Sequence, residues 1–384
     1  MSGADRSSRE TVPFYGAARE FASHRGEIMA AVEDILSTGQ ALQGTAVVEF
    51  EDRVARLTGR AHAVAVNSCT DGLFFALLAA GVKPGDEVLV PDFSFVATAS
   101  SVLRCGATPV FVDVEDDTLN LDLDRAAELV TERTRAMVAV HLYGQMIDPS
   151  RLDAFADRFS LPVVEDAAQA FAASFDGRPG GSVGRVSCMS FDPTKPLSAP
   201  GSGGMVLTDD EDIAGQVRLL RYHGKGPGGR FERLGFNSQM PTLTAAVLRV
   251  KLAGSEASLA RRREIAARYS KGLADLPFIT LPEETPGSVH NYHKYVIRSP
   301  GRDELRGHLT ERGIETFVHY DRPLSDQPLF RGTAPPPSTP VAAAAAGVVL
   351  SLPVHAFLDD DEVDAVIDAV RSAPPHEAEE TASR

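Results

Sequence analysis

The sequence predicts an α/β protein: a largely parallel sheet between helices, followed by a smaller α+β region. Short apolar, β-branched runs alternate with longer helical stretches from about residue 60 to residue 210, as strand–helix units do. The runs are nearly continuous in Val, Ile and Leu, as expected of strands covered on both faces. Beyond that block the pattern becomes a long helix with a charged outer face, then mixed short strands and helices.

Taken in order, HRGEIMAAVEDILSTG (24–39) and VVEFEDRVARLTG (47–59) carry apolar residues at helical spacing. Seven strands are expected next: AHAVAVN (61–67), DEVLVP (86–91), TPVFVDV (108–114), AMVAVH (136–141), LPVVED (161–166), VSCMSF (186–191) and GGMVLT (203–208). Helix-like segments such as LFFALLAA and LDRAAELV fill the gaps. Residues 240–275 read as one long helix. NYHKYVIR (291–298) reads as a strand, RDELRGHLTERG (302–313) as a helix and IETFVHY (314–320) as a second strand. The Pro/Ala stretch at 333–347 reads as a loop leading into a helix, and DDDEVDAVIDAVRSA (359–373) as the final helix. The expected division is a large unit over 12–255, a small one over 256–372, and polar, mobile tails at 1–11 and 373–384.

With 384 residues, 43% hydrophobic and 24% charged, the chain can bury a sizeable core in one large and one smaller domain. No window approaches the ~20 apolar residues of a membrane span. The N-terminus MSGADRSSRETVPF lacks the apolar core of a secretory signal. Cys69, Cys105 and Cys188 fit neither a metal-ligand spacing nor a disulfide framework, so no metal is expected and the setting is expected to be cytoplasmic. A formal charge of −15 argues against a nucleic-acid or anionic-membrane surface, while leaving room for a local basic pocket.

Open α/β sheets bind ligands at the carboxyl ends of their strands, and three candidate motifs fall there. NSCTDG (67–72) follows a strand and opens a helix. Taken alone it is a helix cap, but the free amides of such a turn also suit a phosphate. Asp166 ends LPVVED. Alone it reads as a cap, yet a carboxylate there can also hold a pyridinium nitrogen protonated. SFDPTKP (190–196) places Lys195 in a turn between Pro193 and Pro196. A lone lysine is by default a solvated surface group, but this amine can form a Schiff base with an aldehyde cofactor while Ser190 reaches a phosphate. The glycines of GSGG (201–204) allow close backbone approach. Phosphate cup, ring acid and lysine, in that order on one sheet, are stronger together than any of them apart.

Those motifs, with PDFSFVATA, PVFVDVEDDTLNLD, HLYGQ, VVEDAAQA, GFNSQM, YHKYVIR and SLPVHAFLDDDEVDAVI, resemble the DegT/DnrJ/EryC1/StrS family of sugar aminotransferases. The resemblance runs from about Val12 to about Val370. It implies a fold-type I enzyme dependent on pyridoxal 5′-phosphate, with Lys195 as the cofactor-bearing lysine that moves the substrate proton. It also implies that Asp166 pairs with the ring nitrogen, that Gln169 reaches the phenolic oxygen and that Phe95 stacks on the ring. Thr70, the amide of Asp71 and Ser190 would hold the phosphate, and Asn237 would reach it from the second subunit of a homodimer. The implied reaction moves an amino group from L-glutamate to a nucleotide-linked 3- or 4-keto-6-deoxy sugar. Lys225, Arg230 and Arg233 are candidates for the diphosphate, with a flexible solvated loop as the equal alternative. A cyclitol ketone as acceptor and a non-catalytic ligand-binding protein are the competing readings. The retained Lys195 argues against a dehydratase of the same family.

Three positions depart from the family pattern: Gln239, Thr244 and Ser202. Of His141, Tyr143, His290, Tyr292, His293, His319 and Tyr320, packing is the favoured role over lining the sugar pocket.

Overall fold

The computed structural model describes residues 11–333 and 338–374. Two helices, α1 (Ala17–Thr38) and α2 (Thr45–Thr58), precede the sheet. Strands β1 (His62–Val66), β2 (Glu87–Pro91), β3 (Thr108–Val112), β4 (Thr134–Val140) and β5 (Val163–Asp166) alternate with α3 (Cys69–Ala79), α4 (Ala97–Arg104), α5 (Leu123–Glu128) and α6 (Pro149–Phe159). Two short strands, β6 (Ser174–Phe175) and β7 (Arg178–Pro179), lead to β8 (Val186–Ser190) and β9 (Gly204–Thr208). Helices α7 (Glu211–Arg221), α8 (Thr242–Ala253) and α9 (Ser255–Leu273) follow. The chain then runs through β10 (Ser288–Val289), β11 (Tyr295–Arg298), α10 (Arg302–Glu311), α11 (Pro340–Val348), β12 (Val349–Leu352) and α12 (Asp360–Arg371).

The seven expected strands form one sheet in the order β1-β9-β8-β5-β4-β2-β3. Only β9 is reversed, pairing antiparallel with both β1 and β8. The sheet divides two cores by side-chain alternation. Ala63, Ala65, Met137 and Ala139 face α1, α2, α6 and α8, whereas Val64, Val66, Val138 and Val140 face α3, α4 and α7. A third core gathers Ile265, Tyr269, Tyr295, Leu309, Leu350, Val363 and Val366, joined by Val12 from the other end of the chain.

Two expectations need correction. Residues 240–275 are two helices, because Gly254 leaves helical geometry at φ −98°, ψ 4° and ends α8 while starting α9. IETFVHY is not a regular strand: it makes only isolated bridges, Ile314 with Val12 and Phe317 with Ser351. The true partner of β11 is β12, the GVVLSL segment that follows the alanine helix. The expected tails lie outside the described residues apart from Thr11, Ala373 and Pro374, and Ala373 is packed in the third core.

β5 ends in two carboxylates that point to opposite faces. Glu165, fully buried, accepts from four donors: the Gly181 amide at 2.7 Å, the Val183 amide at 2.8 Å, Ser187 Oγ at 2.6 Å and His141 Nε2 at 2.9 Å. The Ile147 amide donates to His141 Nδ1, which places the imidazole proton on Nε2. Burial alone would raise the Glu165 pKa, but the bonds from His141, Ser187 and Gly181 outweigh it and hold the group below its ordinary value. At the start of β9, a Cβ on Gly204 would lie 2.4 Å from the Ser68 carbonyl carbon and 2.5 Å from the Cys69 amide. Glycine there is what lets the start of α3 rest against β9.

Two outcomes are expected. Gly204→Ala pushes the first turn of α3 off the sheet, costing about 1–3 kcal/mol in chemical denaturation and weakening cofactor binding in a titration. Glu165→Gln turns an amide NH₂ toward existing donors and costs about 2–4 kcal/mol. Because the folded-state pKa of Glu165 is lowered, its stabilisation is complete above the unfolded value of about 4.3 and is lost as pH falls through the folded one. The variant's stability should therefore fall less steeply than wild type below that pH, as read by unfolding midpoints in acid.

Candidate active site

The carboxyl ends of β1, β5 and β8, with the start of the reversed β9, open onto one cavity of about 320 Å³. Thr70, Phe95, Asp166, Gln169, Ser190 and Lys195 all line it. The two remaining sequence candidates do not. The Asp71 side chain turns away to Arg104 at 2.9 Å and Ser238 at 2.7 Å, and its amide is capped by Ser68 Oγ at 3.1 Å. Asn237 is exposed, next to a Gly-rich hairpin.

Lys195 owes its position to a turn organised by Asp192. Asp192 Oδ1 accepts from the Thr194 amide at 3.0 Å and the Thr194 hydroxyl at 2.7 Å, and its carbonyl accepts from the Lys195 amide at 2.9 Å. Phe191, fully buried against Phe50 at 5.1 Å, anchors this turn to the core. Burial lowers the pKa of the Lys195 amine, with Asp166, Cys69 and Asp192 opposing the shift. Burial raises that of Asp166, against bonds from the Ala168 amide at 3.1 Å and Thr98 Oγ1 at 2.9 Å. The two groups are thus both displaced toward neutrality, and a cation at Asp166 would restore its charge.

The remaining groups present donors. Gln169 Oε1 is taken by the Tyr143 amide at 2.8 Å, so the side chain offers its NH₂ to Tyr320 and the cavity. Ser190 Oγ accepts from the Asp192 amide at 3.3 Å, leaving its hydroxyl proton free to donate. The first turn of α3 brings Ser68, Cys69 and Thr70 to the wall, with amides suited to an anion. An anion cradle, a buried acid pushed toward neutrality and a half-buried amine are what pyridoxal phosphate requires of a site, and the residues present fit it.

Sequence reasoning missed several lining groups. Of the seven His and Tyr residues assigned to packing, His293, His319 and Tyr320 line the cavity, while His141 serves Glu165 and His290 stacks on Tyr292 at 4.1 Å. Lys294 and Tyr15 also line it. The one available signal was a lysine just before β11 with aromatic neighbours, which is weak. Lys225, Arg230 and Arg233 lie outside this cavity: Lys225 lies over the Tyr222 ring and Arg233 bonds Gln216. Among the described residues there is no cluster that could hold a metal, and no helix is long and apolar enough to cross a membrane.

The model of the DegT/DnrJ/EryC1/StrS aminotransferase family matches residues 22–371. The chain is 41% identical to a dTDP-3-amino-3,4,6-trideoxy-alpha-D-glucose transaminase of Streptomyces venezuelae, over 96% of this chain and 97% of the relative. It is 38% identical to a "pleiotropic regulatory protein" of Geobacillus stearothermophilus, covering 94% and 97% respectively. The crystal structure of S. venezuelae DesV in complex with a ketimine intermediate superposes with a TM-score of 0.92 at 41% identity, covering 94% of this chain and 98% of that one. Other solved neighbours carry the cofactor in its amine form. The cavity and these likenesses lead to one conclusion: the chain belongs to the DegT/DnrJ/EryC1/StrS aminotransferase family and is a pyridoxal-phosphate-dependent aminotransferase.

Proposed function

We propose that this enzyme transfers an amino group from L-glutamate to a nucleotide-linked 3- or 4-keto-6-deoxy sugar in amino-sugar biosynthesis in the cytoplasm. The observation that carries the reading is the shared cavity of Lys195 and Asp166, whose pKa values are displaced in opposite directions. The S. venezuelae relative, named for a dTDP-linked amino sugar, supports the acceptor class.

When bound, the cofactor supplies an electron-withdrawing ring that stabilises charge on the carbon losing a proton. Asp166, oriented by Thr98 and the Ala168 amide, keeps the ring nitrogen protonated. The Lys195 amine, its pKa lowered toward the working pH, takes the proton from the donor carbon and returns it to the acceptor carbon. Ser190, Thr70 and the first turn of α3 would hold the phosphate, Phe95 would lie against the ring and Gln169 would offer its NH₂ to the phenolic oxygen.

We further propose a homodimer in which Asn237 serves the partner's phosphate. Its exposure, together with that of Phe231 (72%) and Leu234 (82%) on the same hairpin, supports a subunit contact there.

On this reading, wild type with pyridoxal phosphate absorbs in the visible, and L-glutamate shifts that band to the near ultraviolet. Lys195→Ala should lack the visible band and all turnover. Asp166→Asn should bind cofactor yet lose about 10²–10³-fold in turnover. A band that glutamate and other amino acids leave unchanged would favour a ligand-binding regulatory role, and turnover of cyclitol ketones but not keto-sugars would move the acceptor. Mixed Lys195→Ala and Asn237→Asp subunits, each inactive alone, should recover up to about a quarter of the sites. No recovery, with a dimer present, would place Asn237 outside the site.

A further inference from the structure

Lys294 stands just before β11 and is 5% exposed, yet it lines the same cavity as Lys195. Its ammonium lies 4.7 Å from the Phe14 ring centre, 4.6 Å from the Tyr15 ring centre and 3.4 Å from the Tyr15 hydroxyl. Among the described residues no carboxylate pairs with it. The other charged or ionisable groups around it are mostly cationic or basic: Lys195, Arg262, His293 and His319. Of the acids nearby, Asp192 puts one oxygen on Thr194 and favours a charged Lys294 without forming an ion pair with it, and Glu20 binds Lys251 at 2.7 Å and Ser198 at 3.2 Å. Arg262, also buried, spends one nitrogen on the Val354 and Tyr292 carbonyls and leaves Nε without a partner.

Burial, with Lys195 and Arg262 nearby, drives the Lys294 pKa well below its ordinary value. An amine met by two aromatic faces and the Tyr15 hydroxyl is thus left short of an anion, and one that arrives with the substrate would restore its charge. We infer that Lys294 anchors the α-carboxylate of the amino donor and so sets how tightly the donor is held beside Lys195. This rests on the proposed reaction with an amino-acid donor. Depth favours a donor carboxylate over the sugar diphosphate. The donor's carboxylate is bonded to the carbon that loses its proton to Lys195, whereas a diphosphate is separated from its reacting carbon by a sugar ring. Lys294, Lys195 and Arg262 also share a side pocket much smaller than the main cavity.

The test compares wild-type and K294M holoenzyme in two measurements. One is single-turnover conversion of the cofactor band by L-glutamate. The other is calorimetric binding of glutarate, a dicarboxylate without an amine that cannot react. The half-saturating glutamate concentration should rise ~10-fold or more, and glutarate should weaken similarly, as loss of a charge-assisted contact implies. The limiting conversion rate and the single-turnover reaction of the amine form with keto-sugar should stay within about 3-fold. Thermal unfolding of K294M should be unchanged or raised, since methionine removes an unpaired buried charge. K294Q, which keeps a neutral donor, should fall between the two. Unchanged glutarate binding in K294M would overturn the inference, as would a loss confined to the keto-sugar step. Weaker glutarate binding accompanied by a lower unfolding temperature in both variants would also overturn it, marking Lys294 as a structural group. Glutarate binding reads Lys294 even where L-glutamate proves not to be the donor, so the two readings fail separately.

Discussion

The site depends on how one strand end treats two adjacent carboxylates. Glu165 and Asp166 differ in environment more than in chemistry. Glu165 accepts from four donors and is held ionised, while Asp166 has two donors and is pushed toward neutrality. The first group locks β5 to the loop at 181–183 and to β8, so the strand end cannot shift. The second is left short of a positive partner at a fixed position facing the cavity. Rigidity on one face of the strand makes possible the electrostatic deficit on the other.

The same logic extends across the cavity. Lys195 is half-buried and Lys294 buried, neither with a full counter-charge, and Arg262 adds to the positive side. Burial and these cations hold the His293 and His319 imidazoles neutral. Folding tolerates this arrangement because apolar cores elsewhere supply stability and because the aromatic faces of Phe14 and Tyr15 partly replace water. A chain optimised for stability alone would pair or delete these charges.

The sheet was legible in the sequence because its strands are buried on both faces, so each is a compact Val-rich run bounded by turns. Lys195, Asp166 and Ser190 were legible because each sits at a strand end, where topology alone implies a crevice. The C-terminal region was harder to read. IETFVHY has strand composition, yet it forms β-bridges only at Ile314 and Phe317, while VLSL, hidden behind an alanine run, pairs fully with β11. Propensity describes the fit of a segment to a pleated surface and carries no information about which partner will be alongside. Lys294 was missed for a related reason. Only tertiary packing turns a lysine among aromatics into a buried group, since most lysines in such a sequence remain solvated.

The cavity joins Tyr15, Ser68, Asp166, Lys195 and Tyr320, residues drawn from almost the whole length of the chain. Such a site is assembled from long-range contacts, whose loop-closure entropy must be met before any ligand can reward them. The whole cavity cannot exist on a nascent chain lacking its last hundred residues, which supply His293, Lys294, His319 and Tyr320, so the cofactor's complete site belongs to the finished fold. Its binding energy then acts wholly on the native side of the folding equilibrium. Cellular supply of the cofactor would thereby regulate how long the finished protein survives, as well as how fast it works.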